Sequence, residues 1–487
     1  MKHATIPNVP TQLFLGGEWR DASDGATFDV VNPATGEVVV KVSDATADDV
    51  RAMIDAAVAA QGPWGTTTAL DRAVIMRRAV AIFTERIDEL ARLLSLEQGK
   101  PLAQAVGEWQ YGIGFIDWFA EEARRVHGST IPATTSAKRI ITLRQPIGVT
   151  ACITPWNFPA LQILRKLGAA LAAGCSMIVK PAELTPLSAL EIARVFHDAG
   201  LPPGVLQVAT ANDPVKVSEV FMADSRVRGI SFTGSTEVGK ILMRGAADTM
   251  KRVSLELGGH APFIVFPDAD MDLVIREAMS VKLRNMGQTC VSANRFFIHR
   301  DVAEEFGSRL ASEFEKLVVG NPLDDGVDVG PLVEEAALVK VEAHVADALE
   351  RGAEVVLGGS RAETSSGSRL FFQPTVIRNA DDTMLLAREE TFGPVAPIFT
   401  FTDEDDVVRR ANDSDYGLSG YFFTRDLNRA IRVAERLEYG TVGVNDASIS
   451  AVQAPFGGVK QSGIGREGGP LGVDEYLDTK YVSVGGL

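Results

Sequence analysis

Cysteine and histidine are scarce. Three cysteines, Cys152, Cys175 and Cys290, and six histidines occur in 487 residues. That is too few, and too scattered, for a disulfide framework or for the ligand spacing of a zinc site. No His-Glu-x-x-His is present, so no metal is expected. Long apolar runs are also missing: the longest, Leu167 to Val179 (LGAALAAGCSMIV), falls short of the ~20 residues a spanning helix needs and reads as a buried helix and strand. Positive charge is in deficit, with 48 Lys and Arg against 64 Asp and Glu, a formal net charge of −16. Such a surface repels phosphate backbones and anionic lipid, which argues against nucleic-acid and membrane partners. The opening MKHATIPNVPTQLF lacks a continuous apolar segment, so no secretory signal is read and a cytoplasmic location is expected.

What is present is a globular composition, 46% apolar and 23% charged, in a chain long enough for two or more domains. From Val149 to Leu257 short apolar runs alternate with helical patterns, which predicts a parallel α/β sheet. The candidate strands are Val149 to Ile153, Met177 to Val179, Val205 to Val208, Gly229 to Phe232 and Arg252 to Leu257. Amphipathic stretches at Ala160 to Ala173, Ser188 to Ala199 and Glu237 to Ala247 lie between them. A second α/β region follows, Phe263 to about Asn445, and the first 120 residues read as a turn-rich β start followed by helices near Ala47 to Gln61 and Leu70 to Gln98. Lys138 to Arg144 and Lys480 to Val484 are strand-like but awkwardly placed, as edge strands or as parts of an oligomer interface.

Several segments carry candidate chemistry, each beside a plainer reading. Cys290 lies among Gly287, Gln288, Thr289, Ser292 and Asn294, a polar setting that suggests an accessible loop and a nucleophilic thiolate. Cys152 and Cys175 sit in apolar runs and read as inert core thiols. Glu256, in Glu256-Leu257-Gly258-Gly259, is a candidate base. Asn157, between two prolines in PWNFP, could donate to a developing oxyanion or satisfy its own turn. Lys180 and Glu183 stand at a strand end, where open parallel sheets bind ligands, though such pairs are also common as solvated charges. Gly234 to Lys240 (GSTEVGK) opens a helix after a strand, a context for anion binding; it nearly matches a nucleotide P-loop, but Ile241 replaces the hydroxyl that holds magnesium. Gly463 to Gly468 satisfies GxGxxG, yet with only 19 residues after it no βαβ unit can follow, and it reads as a loop.

Taken together and in order, PWNFP, KPAE, FTGSTEVG, ELGG, GQTC, ETFGP and PFGGVKQSG resemble the signatures of the NAD(P)-dependent aldehyde dehydrogenase superfamily across essentially the whole chain. The resemblance implies a Rossmann-type cofactor domain (1–123 and 147–258), an α/β catalytic domain (259–458) and a small β oligomerisation element (124–146 and 459–487), assembled as a homodimer or homotetramer. It implies Cys290 as nucleophile, Glu256 as general base, and Asn157 with the Cys290 N–H as oxyanion hole. Thr154, Trp156, Lys180, Glu183, Gly234, Ser235, Leu257, Glu390 and Phe392 would hold NAD, with NADP the alternative. Thiolate addition to an aldehyde, hydride loss to the nicotinamide and hydrolysis of the resulting thioester would follow.

Within the superfamily the segments QILRKLGAALAAGC, KLRNMGQTCVSANRF and GREGGPLGVDEYLDTKYV resemble succinate-semialdehyde dehydrogenases. That likeness implies a carboxylate-binding set of Arg165, Arg284 and Ser450. Relatives acting on 2-oxoglutarate or glutarate semialdehyde share ELGGHAP and GREGGP, so substrate length stays open. Ser292 stands where some members carry a second cysteine, so no regulatory disulfide is expected. Glu183 favours NAD, because a carboxylate at the ribose repels a 2′-phosphate.

Overall fold

The computed structural model describes residues 8–486; the first seven residues of the segment read for a secretory signal lie outside them. An eight-stranded sheet runs in the order Glu18–Arg20, Leu13–Leu15, Leu206–Val208, Met177–Lys180, Val149–Ile153, Val227–Thr233, Arg252–Glu256, Gly463–Ile464. The five central strands are parallel and the flanking ones antiparallel. From Val149–Ile153 the chain steps outward through Met177–Lys180 to Leu206–Val208. It then crosses back to lay Val227–Thr233 on the other side of the first strand. Strand order therefore reverses between Val149–Ile153 and Val227–Thr233, and the crevice at their carboxyl ends is where such sheets receive ligands.

Every residue of the Val149–Ile153 strand is buried, as a parallel strand covered on both faces requires. The following helix, Pro159–Ala173, starts with Pro159 in its first turn, ends on Gly174 at φ +91°, and is buried on all sides. A helix that passed unnoticed in the sequence, Leu102–Glu122, packs along it. Gly112 makes this contact close, since a Cβ there would meet Leu164 Cδ1 at 2.7 Å. The glycines that permit the packing also weaken the helical signal.

The second sheet has seven strands, ordered Glu354–Leu357, Thr375–Arg378, Val395–Phe401, Ala293–His299, Ala261–Val265, Ser419–Phe423, Thr441–Val444, all parallel except the first. Tilted aromatic pairs such as Phe263–Phe423, 4.6 Å between centroids, fill its core. In the third sheet Leu477–Gly485 runs antiparallel to Lys138–Pro146, with Thr130–Ile131 on the far side. The two awkward segments thus pair with each other.

Two expectations need correction. Leu70 to Gln98 is not one helix but two, Ala69–Glu85 and Ile87–Gln98, because Arg86 leaves helical geometry at φ −100°, ψ 12°. Gly463 to Gly468 is not simply a loop: Gly463 and Ile464 form the edge strand that pairs with Leu255 and Glu256.

Candidate active site

Cys290 lies beyond the Met271–Leu283 helix, after a turn in which Asn285, Met286 and Gly287 all take positive φ. The expectation of an accessible loop is corrected here. Cys290 is only partly buried, but Gln288, Thr289, Ser292 and Asn294 are buried. Their polarity serves internal bonds: Gln288 Oε1 accepts from Val333 N at 3.0 Å, and Lys282 Nζ lies at 3.0 Å from Asn294 Oδ1 and 3.3 Å from Ser292 Oγ. Gly259 packs under Cys290, where a Cβ would come within 2.2 Å of the Cys290 carbonyl oxygen. Burial first, then the Glu390 and Glu256 charges, push the Cys290 thiol up to about 12.

Glu256 ends its strand with both carboxylate oxygens buried and without a hydrogen-bond partner among the described residues. Burial raises its pKa well above the ordinary range; Glu467 adds to this, while Arg165, Lys166 and Arg466 oppose it. Asn157 follows Val149–Ile153, one strand removed from that of Glu256. Its Nδ2 donates to the Gln288 carbonyl at 3.0 Å, so the side chain ties its turn to the cysteine loop rather than to itself.

A cavity of about 410 Å³ joins Cys290 and Asn157, lined by Trp156, Asn157, Gly234, Ser235, Leu257, Cys290, Glu390 and Phe392; Glu256 stands next to Leu257 but is not among its lining residues. It occupies the crevice where the first sheet reverses its strand order. Ser235 caps the Thr236–Ala247 helix by accepting from Val238 N at 3.3 Å, which leaves the positive end of that helix at the cavity. Trp156 and Phe392 meet edge to face at 5.6 Å. Glu390 accepts from Gly259 N at 3.2 Å and is raised to about 7 by burial. Lys180 is buried and pairs with the half-exposed Glu183 at 3.1 Å; Glu183 in turn helps raise Glu334, which lines the cavity. Thr154 is buried, its Oγ1 unpaired. Strand ends, a helix N-terminus at the cavity and a Lys–Glu pair at a strand end fit a dinucleotide.

A second cavity, about 190 Å³, opens on the other side of the cysteine loop at Thr289 and Val291 and is lined by Tyr111, Arg284, Ser448, Ile449 and Ser450. Arg284 stacks on Phe158 at 5.0 Å, and among the described residues no carboxylate pairs with it. Arg165 is placed differently. It is buried, with Nε 2.6 Å from Glu467 Oε2, Nη2 donating to Gln162 Oε1 at 2.9 Å, and its guanidinium 4.8 Å from the Phe456 ring. A larger surface groove of about 720 Å³, lined by Asn32, Glu37 and Ser366 among others, contains none of the candidate residues.

Set beside known proteins, residues 19–482 match the model of the aldehyde dehydrogenase family. The chain belongs to that family. It is 51% identical over 474 residues to the succinate-semialdehyde dehydrogenase [NADP(+)] of Escherichia coli, covering 97% of this chain and 98% of that one. It is 50% identical over 476 residues to the 3-sulfolactaldehyde dehydrogenase of Pseudomonas putida, covering 98% and 97%. The crystal structure of succinate-semialdehyde dehydrogenase from Burkholderia pseudomallei, 50% identical, superposes with a TM-score of 0.96 over 98% of each chain. The protein is an oxidoreductase of aldehydes.

This aldehyde dehydrogenase also uses neighbours that the sequence reading passed over. Glu467 sits in the Gly463 to Gly468 segment, dismissed there because no βαβ unit could follow. In the fold it reaches Arg165 and makes a close pair with Lys166. Tyr111 has a buried hydroxyl that faces Ser450. It lies on the unrecognised Leu102–Glu122 helix, and nothing in its local sequence signals a site.

Proposed function

We propose that the chain oxidises aldehydes bearing a remote carboxylate, succinate semialdehyde foremost, to the corresponding acids with NAD. The observation that carries the reading is Arg284, a cation without a counter-ion among the described residues, on the wall of a cavity that opens beside Cys290. Ser450 offers a hydroxyl in the same cavity, and Arg165, its charge answered by Glu467, adds a second guanidinium nearer Glu256. A half-buried guanidinium with no carboxylate beside it favours an anionic substrate tail. The names of the relatives, one with a carboxylate tail and one with a sulfonate, agree with an anion at this end.

The chemistry follows from the placement of the residues. The Cys290 thiol gives up its proton to solvent, the thiolate adds to the aldehyde carbon, forming a C–S bond, and the carbonyl oxygen becomes an oxyanion that the remaining Asn157 N–H and the Cys290 backbone N–H stabilise. NAD, held by the cofactor-side residues, would supply the hydride acceptor as C=O reforms, which would leave the acyl group as a thioester on Cys290. Glu256 then takes a proton from water, the hydroxide equivalent attacks the thioester, and the C–S bond breaks to release the acid. Burial, which raises the pKa of Glu256, makes its carboxylate a stronger base toward water. Thr154, Trp156, Gly234, Ser235, Leu257, Glu390 and Phe392 form the cofactor side, with Lys180 and Glu183 at the ribose. Glu183, with Glu334 near it, favours NAD over a 2′-phosphorylated cofactor. We further assign residues 124–146 and 459–487 as the oligomerisation element of a cytoplasmic homo-oligomer, with 1–123 and 147–258 as cofactor domain and 259–458 as catalytic domain.

Steady-state kinetics with succinate, glutarate and 2-oxoglutarate semialdehydes and with hexanal test the reading. Arg284→Ala should raise KM for the semialdehydes by about tenfold or more, the loss of a charge-assisted hydrogen bond, and leave hexanal nearly unchanged. Equal losses on charged and neutral substrates would overturn the carboxylate assignment. A tenfold preference for NADP would overturn the cofactor assignment.

A further inference from the structure

The backbone carbonyl of Asn157 is held by two buried side chains from distant segments. Lys100 Nζ donates to it at 2.8 Å and Asn285 Nδ2 at 2.9 Å. Lys100 arrives from the loop before the Leu102–Glu122 helix and also makes a close pair with Glu108. The same Glu108 carboxylate accepts from the amides of Ala160 at 2.9 Å and Leu161 at 3.2 Å. It thereby supplies the cap that the Pro159–Ala173 helix lacks at its own N-terminus. One side of the turn bearing Asn157 is therefore anchored to a neighbouring helix.

The other side is anchored to the cysteine loop. Asn285 lies five residues before Cys290 at φ 50°, a left-handed conformation uncommon for a residue with a side chain. Its backbone N–H donates to Gln104 Oε1 at 2.7 Å, and its carbonyl accepts from Gln288 N at 2.9 Å and Gln288 Nε2 at 3.2 Å. The Gln288 carbonyl accepts from Asn157 Nδ2 at 3.0 Å. The two donors assigned to the oxyanion, the Asn157 amide and the Cys290 backbone N–H, thus sit on separate loops that this network joins. All five residues, Lys100, Glu108, Asn157, Asn285 and Gln288, are at most 4% exposed, so water does not replace these bonds.

We propose that Asn285 and Lys100 are positioning residues that fix the separation and aim of the two oxyanion donors. This rests on the reading of Asn157 as an oxyanion donor. Neither residue touches the substrate; both act through Asn157.

The test uses the full-length enzyme with Asn285→Gly and Asn285→Asp. Glycine accepts the left-handed backbone, so its effect reports the lost side chain, and aspartate keeps the shape while exchanging a donor for an acceptor. Because a displacement of about 1 Å can cost on the order of a hundredfold, each variant should lower the rate of first-turnover NADH formation ten- to hundredfold, with KM for the aldehyde within about threefold of wild type. Alkylation of Cys290 by iodoacetamide forms no oxyanion and should stay within about twofold. Lys100→Met should show the same split, and Lys100→Arg should restore part of the rate. First-turnover rates within about threefold of wild type would overturn the proposal, as would alkylation slowed in step with turnover, which marks a collapsed loop. Asn157→Ala separates the two readings. If it retains full activity, the oxyanion assignment fails; if it is impaired while the Asn285 variants are not, only the positioning role fails.

Discussion

The thiol of Cys290 and the carboxylate of Glu256 are both held away from the charged state by burial, but to different ends. A thiol pushed up to about 12 is protonated at neutral pH, and the thiolate fraction grows as pH rises toward that value. For the enzyme without cofactor, iodoacetamide alkylation should therefore accelerate about tenfold per pH unit from pH 7 to pH 10. A plateau below pH 8 would show a thiolate already formed at rest. The candidate catalytic residues were legible because their chemistry is written in their own types and neighbours: Cys290 and Asn157 line one cavity, and the Glu256 charge acts on Cys290. Tyr111 and Glu467 were not. A tyrosine on an unrecognised helix and a glutamate in a glycine-rich tail gain meaning only from what the fold brings to them, Ser450 and Arg284 in one case, Arg165 and Lys166 in the other. The surroundings of Cys290 misled for a related reason. Gln288, Ser292 and Asn294 are polar because they bond internally, and sequence alone does not separate a polar residue facing water from one facing Lys282 or Val333.

Among the elements, the parallel strands were the most legible. Fully buried runs such as VTACI and MIVK leave little freedom in type or extent, and the structure moves their ends by a residue or two. The Leu102–Glu122 helix was hidden by its three glycines, and the break at Arg86 by an apolar pattern that continues across it. The strand Leu477–Gly485 has the most direct consequence. It is largely exposed, with Tyr481 61% and Val484 42% accessible, yet pairs along its whole length with Lys138–Pro146. Exposed apolar groups on a sheet of this kind suit burial against a second copy. Removing residues 478–487 should lower the assembly state in light scattering and leave Lys138–Pro146 as an unpaired edge. Retention of the wild-type mass by the truncated protein would place the interface elsewhere.

For the whole molecule, two sheets of different order bring their ends together so that the crevice of the first sheet and the smaller cavity at Arg284 meet at one loop, with Thr289 and Val291 on the smaller cavity and Cys290 facing the crevice. No single segment encodes this. It arises from the reversal of strand order in the first sheet and from the loop between Leu283 and Ala293 that enters the second. The division of labour between nucleophile and base is the central claim. Intact-mass measurement on Glu256→Gln, incubated with succinate semialdehyde and NAD, tests it most directly. The account expects one equivalent of NADH per site and a protein heavier by one succinyl group on Cys290, stable over minutes and absent in Cys290→Ala. Continued turnover at the wild-type rate with no acyl adduct would contradict it.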